Sequence, residues 1–436
     1  MQNIFLIQLN ELNFEIISKY LSDPKNRYRF HNFKKITTEF KSFKTYGEEE
    51  YENLEPWIQW TSVNLGKKFK DHKIFRLGDI VRYKEKEQIF EKIEKKGFKV
   101  GAISPMNVDN RLESPSYFIP DPWTDTMPDK SNFSFKLSKM LKQSVNDNAS
   151  SKLTTESIIT LLQCIIVTLN LKRSFFLIKL IITSLLKPWK KALVLDYLIH
   201  LIHIRLYNKT KPNFSSVFFN AGAHIQHHYL FNSKYINNIG VNPVWYIKQD
   251  IDPLEDMLDV YDKILGDYLK LNANIKLILA TGLRQVPYNK IKFYYRLKNH
   301  TSFLRKLGLN FKSVLPRMTR DFEIIFDNDS DKNQALEKLK ILTINNKNIH
   351  IFGDFEVRND SIFLSLTYPN EIFKDDYLFN GSQKINLYDE VVFVAIKNGM
   401  HDKLGYVYIS EDLNVDIPNN IVHVSYLHDF IYELIT

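Results

Sequence analysis

Cysteine and glycine are scarce in this chain. A single cysteine, Cys164, among 436 residues excludes an intramolecular disulfide and any zinc site built on thiolates. Glycine numbers only 14, and neither G-x-G-x-x-G nor a Walker A pattern occurs, which excludes a glycine-rich nucleotide loop. Long apolar runs are missing as well. The greasiest segments, Ile158–Leu171 and Phe175–Leu186, are interrupted by Lys172, Arg173 and Lys179. Neither reaches the roughly twenty residues that a bilayer span needs. The opening residues, Met1-Gln2-Asn3-Ile4-Phe5-Leu6-Ile7, lack a basic region and a cleavage site and read as a first strand rather than a signal peptide. A reducing, cytoplasmic location is the expectation.

What is present is a globular composition. Hydrophobic residues make up 44% of the chain and aromatics 14%, enough for a large core in two or three domain-sized units. The net charge is +9, with local density at Lys67–Lys70 and Lys187–Lys191. A solvated basic surface accounts for it; peripheral contact with a membrane surface or an anionic ligand is the alternative, and no nucleic acid is expected as a partner.

Strands are expected near 4–9, 99–103, 216–220, 275–280 and 390–396, with helices at Glu15–Tyr20, Glu85–Lys96 and Leu254–Leu271. This alternation predicts an α/β fold, a mostly parallel central sheet flanked by helices. Two stretches break the pattern. Residues 125–212 read as a helical insertion that includes the polar stretch Ser144–Ser151. Residues 295–385 read as a second insertion carrying further helices and the strands Ile349–Phe352 and Ile362–Leu366. The core then comprises 1–124, 213–294 and 386–436.

Polar clusters follow the predicted strands, where open α/β sheets place their sites. Asn10, Glu11 and Asn13 follow the first strand. The stretch Phe219-Asn220-Ala221-Gly222-Ala223-His224-Ile225-Gln226-His227-His228-Tyr229 holds three of the twelve histidines, and His224 and His228 share a helix face. Thr281-Gly282-Leu283-Arg284-Gln285 follows a fourth strand, and Arg284 suits bidentate capture of an anion. His401 and Asp402 follow the last. Between them lies Glu52-Asn53-Leu54-Glu55-Pro56-Trp57-Ile58-Gln59-Trp60-Thr61-Ser62, with Pro56 placed to open a helix and Glu55 at its positive end. Each cluster also has an inert reading as caps, core anchors or solvated surface.

In order, these motifs resemble the alkaline phosphatase superfamily, which includes sulfatases and nucleotide phosphodiesterases. Trp60-Thr61-Ser62-Val63-Asn64-Leu65-Gly66 resembles the helix, often with a Thr-Ser pair and a closing Gly, that follows its nucleophile-bearing turn. Asn220 to His224 resembles its Asp-x-x-x-His metal motif, and His401 with Gly405 its closing His-x-x-x-Gly. Leu9-Asn10-Glu11-Leu12-Asn13-Phe14 and Leu54-Glu55-Pro56-Trp57-Ile58-Gln59-Trp60 look like a divergent branch found among bacterial surface-polysaccharide genes. The chain departs from the pattern at four places. Leu54 and Glu55 stand where the nucleophilic hydroxyl belongs, Asn10 and Asn220 replace carboxylates, and Thr281-Gly282 replaces Asp-His.

The resemblance implies a hydrolase or transferase for a phosphate or sulfate ester, of a small molecule or a glycan, with zinc or manganese as cofactor. The expected catalytic residues are Glu55, His224, His401 and Arg284. Trp57, Gln59, Trp60 and Gln285 are expected to bind substrate. Asn10, Glu11, Asn220, His224, His228 and His401 are the expected metal ligands, and Thr61 and Ser62 are expected only to pack or cap. The second reading is a catalytically degenerate relative that binds a glycan or an assembly partner.

Overall fold

The computed structural model describes residues 3–146, 154–167, 171–236, 240–271, 274–317, 320–344, 349–380, 383–411, 413 and 415–436. Most of the stretch Ser144–Ser151 lies outside them. The chain divides into two compact units. The first comprises Met1–Asn238, Ile247–Pro287 and Gly399–Thr436, and the second Ile239–Tyr246 and Tyr288–Asn398.

In the first unit the chain forms β1 (Asn3–Leu9), β2 (Lys41–Tyr46), β3 (Val100–Ile103), β4 (Tyr117–Ile119), β5 (Phe214–Phe219) and β6 (Ile275–Ala280). Two strands, β7 (Arg284–Leu297) and β14 (Val391–Asp402), pair with each other and carry the chain into and out of the second unit, which holds β8 to β13 between Ser313 and Asn386. After the return come β15 (Leu404–Ile409) and β16 (Val422–His423). The helices of the first unit are α1 (Phe14–Ser22), α2 (His31–Glu39), α3 (Pro56–Leu65), α4 (Phe69–His72), α5 (Ile89–Lys95), α6 (Asn132–Asn146), α7 (Thr155–Val167), α8 (Leu171–Leu186), α9 (Lys190–Thr210), α10 (Ala221–Tyr229) and α11 (Pro253–Leu269). The second unit adds α12 (His300–Lys306), α13 (Asp329–Ile341) and α14 (Leu387–Glu390); α15 (Tyr426–Ile435) closes the chain in the first.

The first unit is built on an eight-stranded sheet of order β16-β2-β15-β6-β1-β5-β3-β4. Its middle strand, β1, is almost wholly apolar and buried, because it pairs on both sides, with β5 (Ile4 opposite Phe214) and with β6 (Asn3 opposite Ile275). All pairings are parallel except those of β15, which runs antiparallel to both β6 and β2. That single reversal matters for function. It brings the residues before β15 to the same edge as the residues after β1, β5 and β6. On one face Trp60, Val63, Leu6, Phe218 and Ile278 form a common core.

The mostly parallel α/β sheet agrees with the sequence reading, with two corrections. The apolar stretch 390–396 is not a strand of the central sheet. Glu390 ends α14, and Val391–Asp402 pairs with β7 instead. The apolar content of this stretch packs in the second unit, where Val391 and Ile396 join the buried core. The central position belongs to β15, whose Gly405 and two tyrosines weaken its apolar signal. The other correction is the strand placed at Ile349–Phe352; it runs from Phe352 to Val357, with only an isolated bridge at His350 before it.

The second unit has its own four-stranded antiparallel sheet, in the order β10 (Phe352–Val357), β11 (Ser361–Leu366), β9 (Asp321–Ile325) and β8 (Ser313–Pro316), and its own core around Phe303, Phe322, Leu339, Phe352 and Leu364. Among the described residues, no helix is long and apolar enough to cross a membrane.

Candidate functional site

Glu11 is the second residue after β1, within the turn that follows it, and it holds a left-handed backbone (φ 61°). Such a conformation is uncommon for a residue with a Cβ. Here it is pinned by ladder-like bonds on both sides: the Glu11 amide donates to the Thr281 carbonyl (3.0 Å), and the Gln285 amide donates to the Glu11 carbonyl (3.2 Å). The side chain is 2% exposed. Its Oε1 accepts from Asn10 Nδ2 at 2.9 Å, and its Oε2 accepts from Gln285 Nε2 at 2.5 Å.

The same Oε2 lies 3.0 Å from His227 Nε2 and 3.2 Å from His401 Nε2, and the two Nε2 atoms are 3.2 Å apart. Among the described residues these three form the group of His, Cys, Asp and Glu whose ligand atoms could share a metal ion. Burial pushes the Glu11 carboxyl up, but the charges of His401 and His227 and their hydrogen bonds outweigh it and hold it well below the usual range. Glu55 completes the cluster on the outer side, its Oε2 3.6 Å from His401 Nδ1 and its side chain one-third exposed.

Three devices position these groups. Asn10 donates to Asn220 Oδ1 (2.8 Å) and accepts from Trp60 Nε1 (2.8 Å), tying the ends of β1 and β5 to α3. Asn13 caps α1, accepting from the amides of Glu15 and Ile16, and donates to the Gln285 carbonyl. At α10, Asp196 from α9 accepts from the amides of Asn220 and Ala221 and from the Tyr261 hydroxyl. Burial pushes the Asp196 carboxyl up to about 6, against the pull of those hydrogen bonds. The N-terminus of α10 is thus clamped, which sets the direction of His227 two turns on. Gly399 is required beside Gln285: a Cβ there would stand 2.0 Å from Gln285 Oε1.

The other residues singled out in the sequence lie as follows. Glu11 and His401 meet, with Glu55 alongside. Asn10 and Asn220 bond to each other rather than standing open. His224 and His228 pack ring to ring (centroids 4.8 Å apart), outside the three-ligand group, and burial pushes His224 down to about 4. Gln285 touches the cluster directly. Arg284 spends its guanidinium on Asp402 (2.8 Å), Glu15 (2.6 Å) and the Tyr406 hydroxyl (2.9 Å). Trp60 is fully buried; Trp57 donates to the Phe75 carbonyl and Gln59 to that of Asn53. Thr61 donates to the Trp57 carbonyl and accepts from Asn107 Nδ2. Ser62 Oγ lies 3.2 Å from His72 Nε2, but His72 Nδ1 accepts from the Ile74 amide, so Nε2 carries the proton of the neutral ring. His72 therefore donates to Ser62 and cannot take its proton.

His227 is the residue that sequence reasoning missed. The four-residue spacing of His224 and His228 drew attention to a side of α10 other than the one that faces Glu11 and His401. The small residues at the start of α10 allow a close approach to the loop after β1, where a Cβ on Gly222 would stand 2.4 Å from Leu12, and the Ala223 carbonyl accepts from Gln285 Nε2. His227 lies one turn beyond Ala223. A cavity of 430 Å³ lies elsewhere, lined by Asn232, Lys234, Asp252 and Glu255 rather than by the cluster.

No protein-family model matches the chain, and no curated protein does. Solved structures to which it is similar include the murine ectonucleotide pyrophosphatase/phosphodiesterase 5 in complex with AMP. That match has 9% identity and a TM-score of 0.43, covering 100% of this chain and 95% of that one. Another is the phosphonoacetate hydrolase of Sinorhizobium meliloti in complex with phosphonoformate, at 10% identity and TM-score 0.43, covering 100% and 96%. A third is a TAB5 alkaline phosphatase with magnesium bound, at 10% identity and TM-score 0.39, covering 99% and 97%. Superpositions this loose carry no argument about chemistry; the architecture rests on the strand order itself.

Proposed function

We propose that Glu11, His227 and His401 hold one divalent cation, zinc or manganese, and that the protein hydrolyses or transfers a phosphate or sulfate ester of a small molecule or glycan. The observation that carries the reading is the triangle of donor atoms, with edges of 3.0, 3.2 and 3.2 Å. Ligands about 2.0–2.1 Å from a tetrahedral centre stand roughly 3.3 Å apart, and two histidines with one carboxylate are a known catalytic zinc set that leaves a fourth position open. The donors also fit chemically. Two imidazole lone pairs and a carboxylate oxygen converge on one point, which a cation can occupy in place of the protons that otherwise join these groups.

When bound, the cation would polarise an ester oxygen and lower the pKa of an attached water. The chain's own residues do the rest. Gln285 and Asn10 fix the two oxygens of Glu11, and such outer contacts hold a ligand in its binding orientation. Glu55 faces Nδ1 of His401, where it orients the imidazole, and its exposure lets it take a proton from an attacking water. Thr61 and Ser62 have their hydroxyls committed within the core, which argues for water as the nucleophile. The order of motifs, Asn220 to His224 and His401 to Gly405, supports the ester class.

Metal analysis of the purified protein, before and after chelation and reloading, tests the reading. About one equivalent of zinc or manganese is expected, lost in Glu11→Gln and His227→Ala, with turnover of at least one ester in a panel of phosphate and sulfate mono- and diesters. A protein that takes up no cation after reloading and turns over none of the panel is instead the binding relative without catalysis.

A further inference from the structure

Helix α8, and α7 in part, carries large apolar side chains on its outward face as well as its inward one. In α8 the inward positions are Ser174, Leu177, Leu180 and Ser184, all buried. The outward positions are Phe175, Ile178, Ile182, Leu185 and Leu186, at 71, 48, 59, 76 and 87% exposure. Their spacing of three, four and three residues places them on one stripe. In α7 the outward face is mixed: Ser157, Thr160 and Cys164 are buried, while Ile159 and Leu162 are half exposed beside Glu156 and Gln163. Both helices pack inward on α9, so the exposed apolar residues point away from the first unit's core. A surface helix normally turns charged and polar residues outward, and contiguous exposed apolar residues mark an interaction site.

Charge says what covers it. Residues 131–191 contain ten basic residues against Asp147 and Glu156, a net of +8 within a chain of +9. Arg173 pairs with Asp267, Lys187 and Lys190 with Asp256, and Lys142 with Asp125. Setting those three carboxylates against the segment still leaves +5. Lys179 stands on the apolar stripe itself, and Lys191 is exposed just beyond its end.

We propose that the outward face of α7 and α8 docks on an anionic lipid bilayer. An apolar stripe flanked by lysine is the composition of a helix that lies in the headgroup region, and long lysine side chains reach outward from it to the phosphates. Neither helix is long enough to cross, so the contact is in the plane of the membrane. A second copy of the chain is the poorer occupant. A two-fold interface brings the same patch together twice, and here it would bring together two segments of like charge.

Flotation of the full-length chain with phosphatidylcholine vesicles, with and without phosphatidylglycerol, tests the proposal. Wild type is expected to float with the phosphatidylglycerol vesicles, about tenfold less without them, and less in high salt. The variant carrying Phe175→Gln, Ile178→Gln and Ile182→Gln is expected to lose binding about tenfold while keeping its circular dichroism and melting temperature, because the substituted side chains face outward. If that variant is unstable, Lys179→Glu with Lys191→Glu makes the same test at two exposed positions and is expected to abolish the preference for anionic vesicles. Wild type that floats with neither vesicle overturns the proposal, as does unchanged binding by either variant. A lipid-free dimer that the triple variant dissociates also overturns it, and assigns the face to a second copy.

Discussion

Glu11 does two jobs with one carboxylate: Oε1 belongs to the structural network through Asn10, and Oε2 faces the two imidazoles. Glu11→Gln keeps the shape and removes the charge. It is expected to weaken cation binding by at least about a hundredfold, read by competition with a chelating dye, whereas Gln285→Leu, one contact further out, should cost about 10–100-fold. A second comparison concerns Glu55 and Thr61. Glu55→Gln should lower kcat by about 10²–10⁴, the range for a lost general base, with little change in stability. Thr61→Ala should do the reverse. It leaves the buried Asn107 amide short of an acceptor and so costs about 1–3 kcal/mol of stability, measured by urea unfolding, while kcat stays near wild type. Glu11, Glu55 and His401 were visible in the sequence because each lies beside a strand end or a helix-opening proline. His227 was not, since the phase of a nine-residue helix cannot be read without knowing which side meets the sheet.

Elements were legible in proportion to their hydrophobic contrast. β1, β5 and β6 pair on both sides and so are mostly apolar and buried; their positions follow from the sequence to within two residues. β2, β4 and β16 are short or lie toward the sheet's ends, and β15 mixes tyrosine with a glycine. None of the four carries an alternating or continuous apolar signal, and they escaped. The most consequential element for the site is α10, held at its start by Asp196. Replacing Asp196 by alanine strands the Asn220 and Ala221 amides and the Tyr261 hydroxyl without their acceptor. The expected cost is about 2–4 kcal/mol in urea unfolding, with a parallel loss of cation affinity because His227 rides on that helix. Asp196→Asn, which can still accept, should be milder on both measures.

For the molecule as a whole, buried histidines set the response to acid. Burial pushes His72 and His300 down to about 4 and His203 to about 3, from an ordinary 6.5, and pushes His200 and His428 down as well. As pH falls below 6.5 the unfolded chain takes up these protons first. The stability that depends on the neutral rings is therefore complete above 6.5 and drains as pH falls toward 4. Asp196 and Asp252 work against this: burial raises both from 3.8 to about 6, so their contribution is complete below 3.8 and is lost as pH rises through 6. Five histidines outweigh two aspartates. The urea midpoint should fall steadily from pH 7 to pH 5, and a midpoint that rises over that interval would contradict the burial of these rings.

The chain departs from the first unit just after Gln285 and returns at Gly399, and these residues are near enough for a Cβ on one to collide with the other's side chain. Seen from the first unit, the whole excursion is a loop whose ends lie together, and the entropic cost of closing such a loop rises only slowly with its length. The stretch Tyr288–Asn398 is then an exchangeable cassette, with Ile239–Tyr246 the other part of the second unit that would change with it. Its size and sequence can drift, or be replaced by a short turn, while Glu11, His227 and His401 keep their places. Lineages carrying this core should differ far more between the two crossing points than on either side of them.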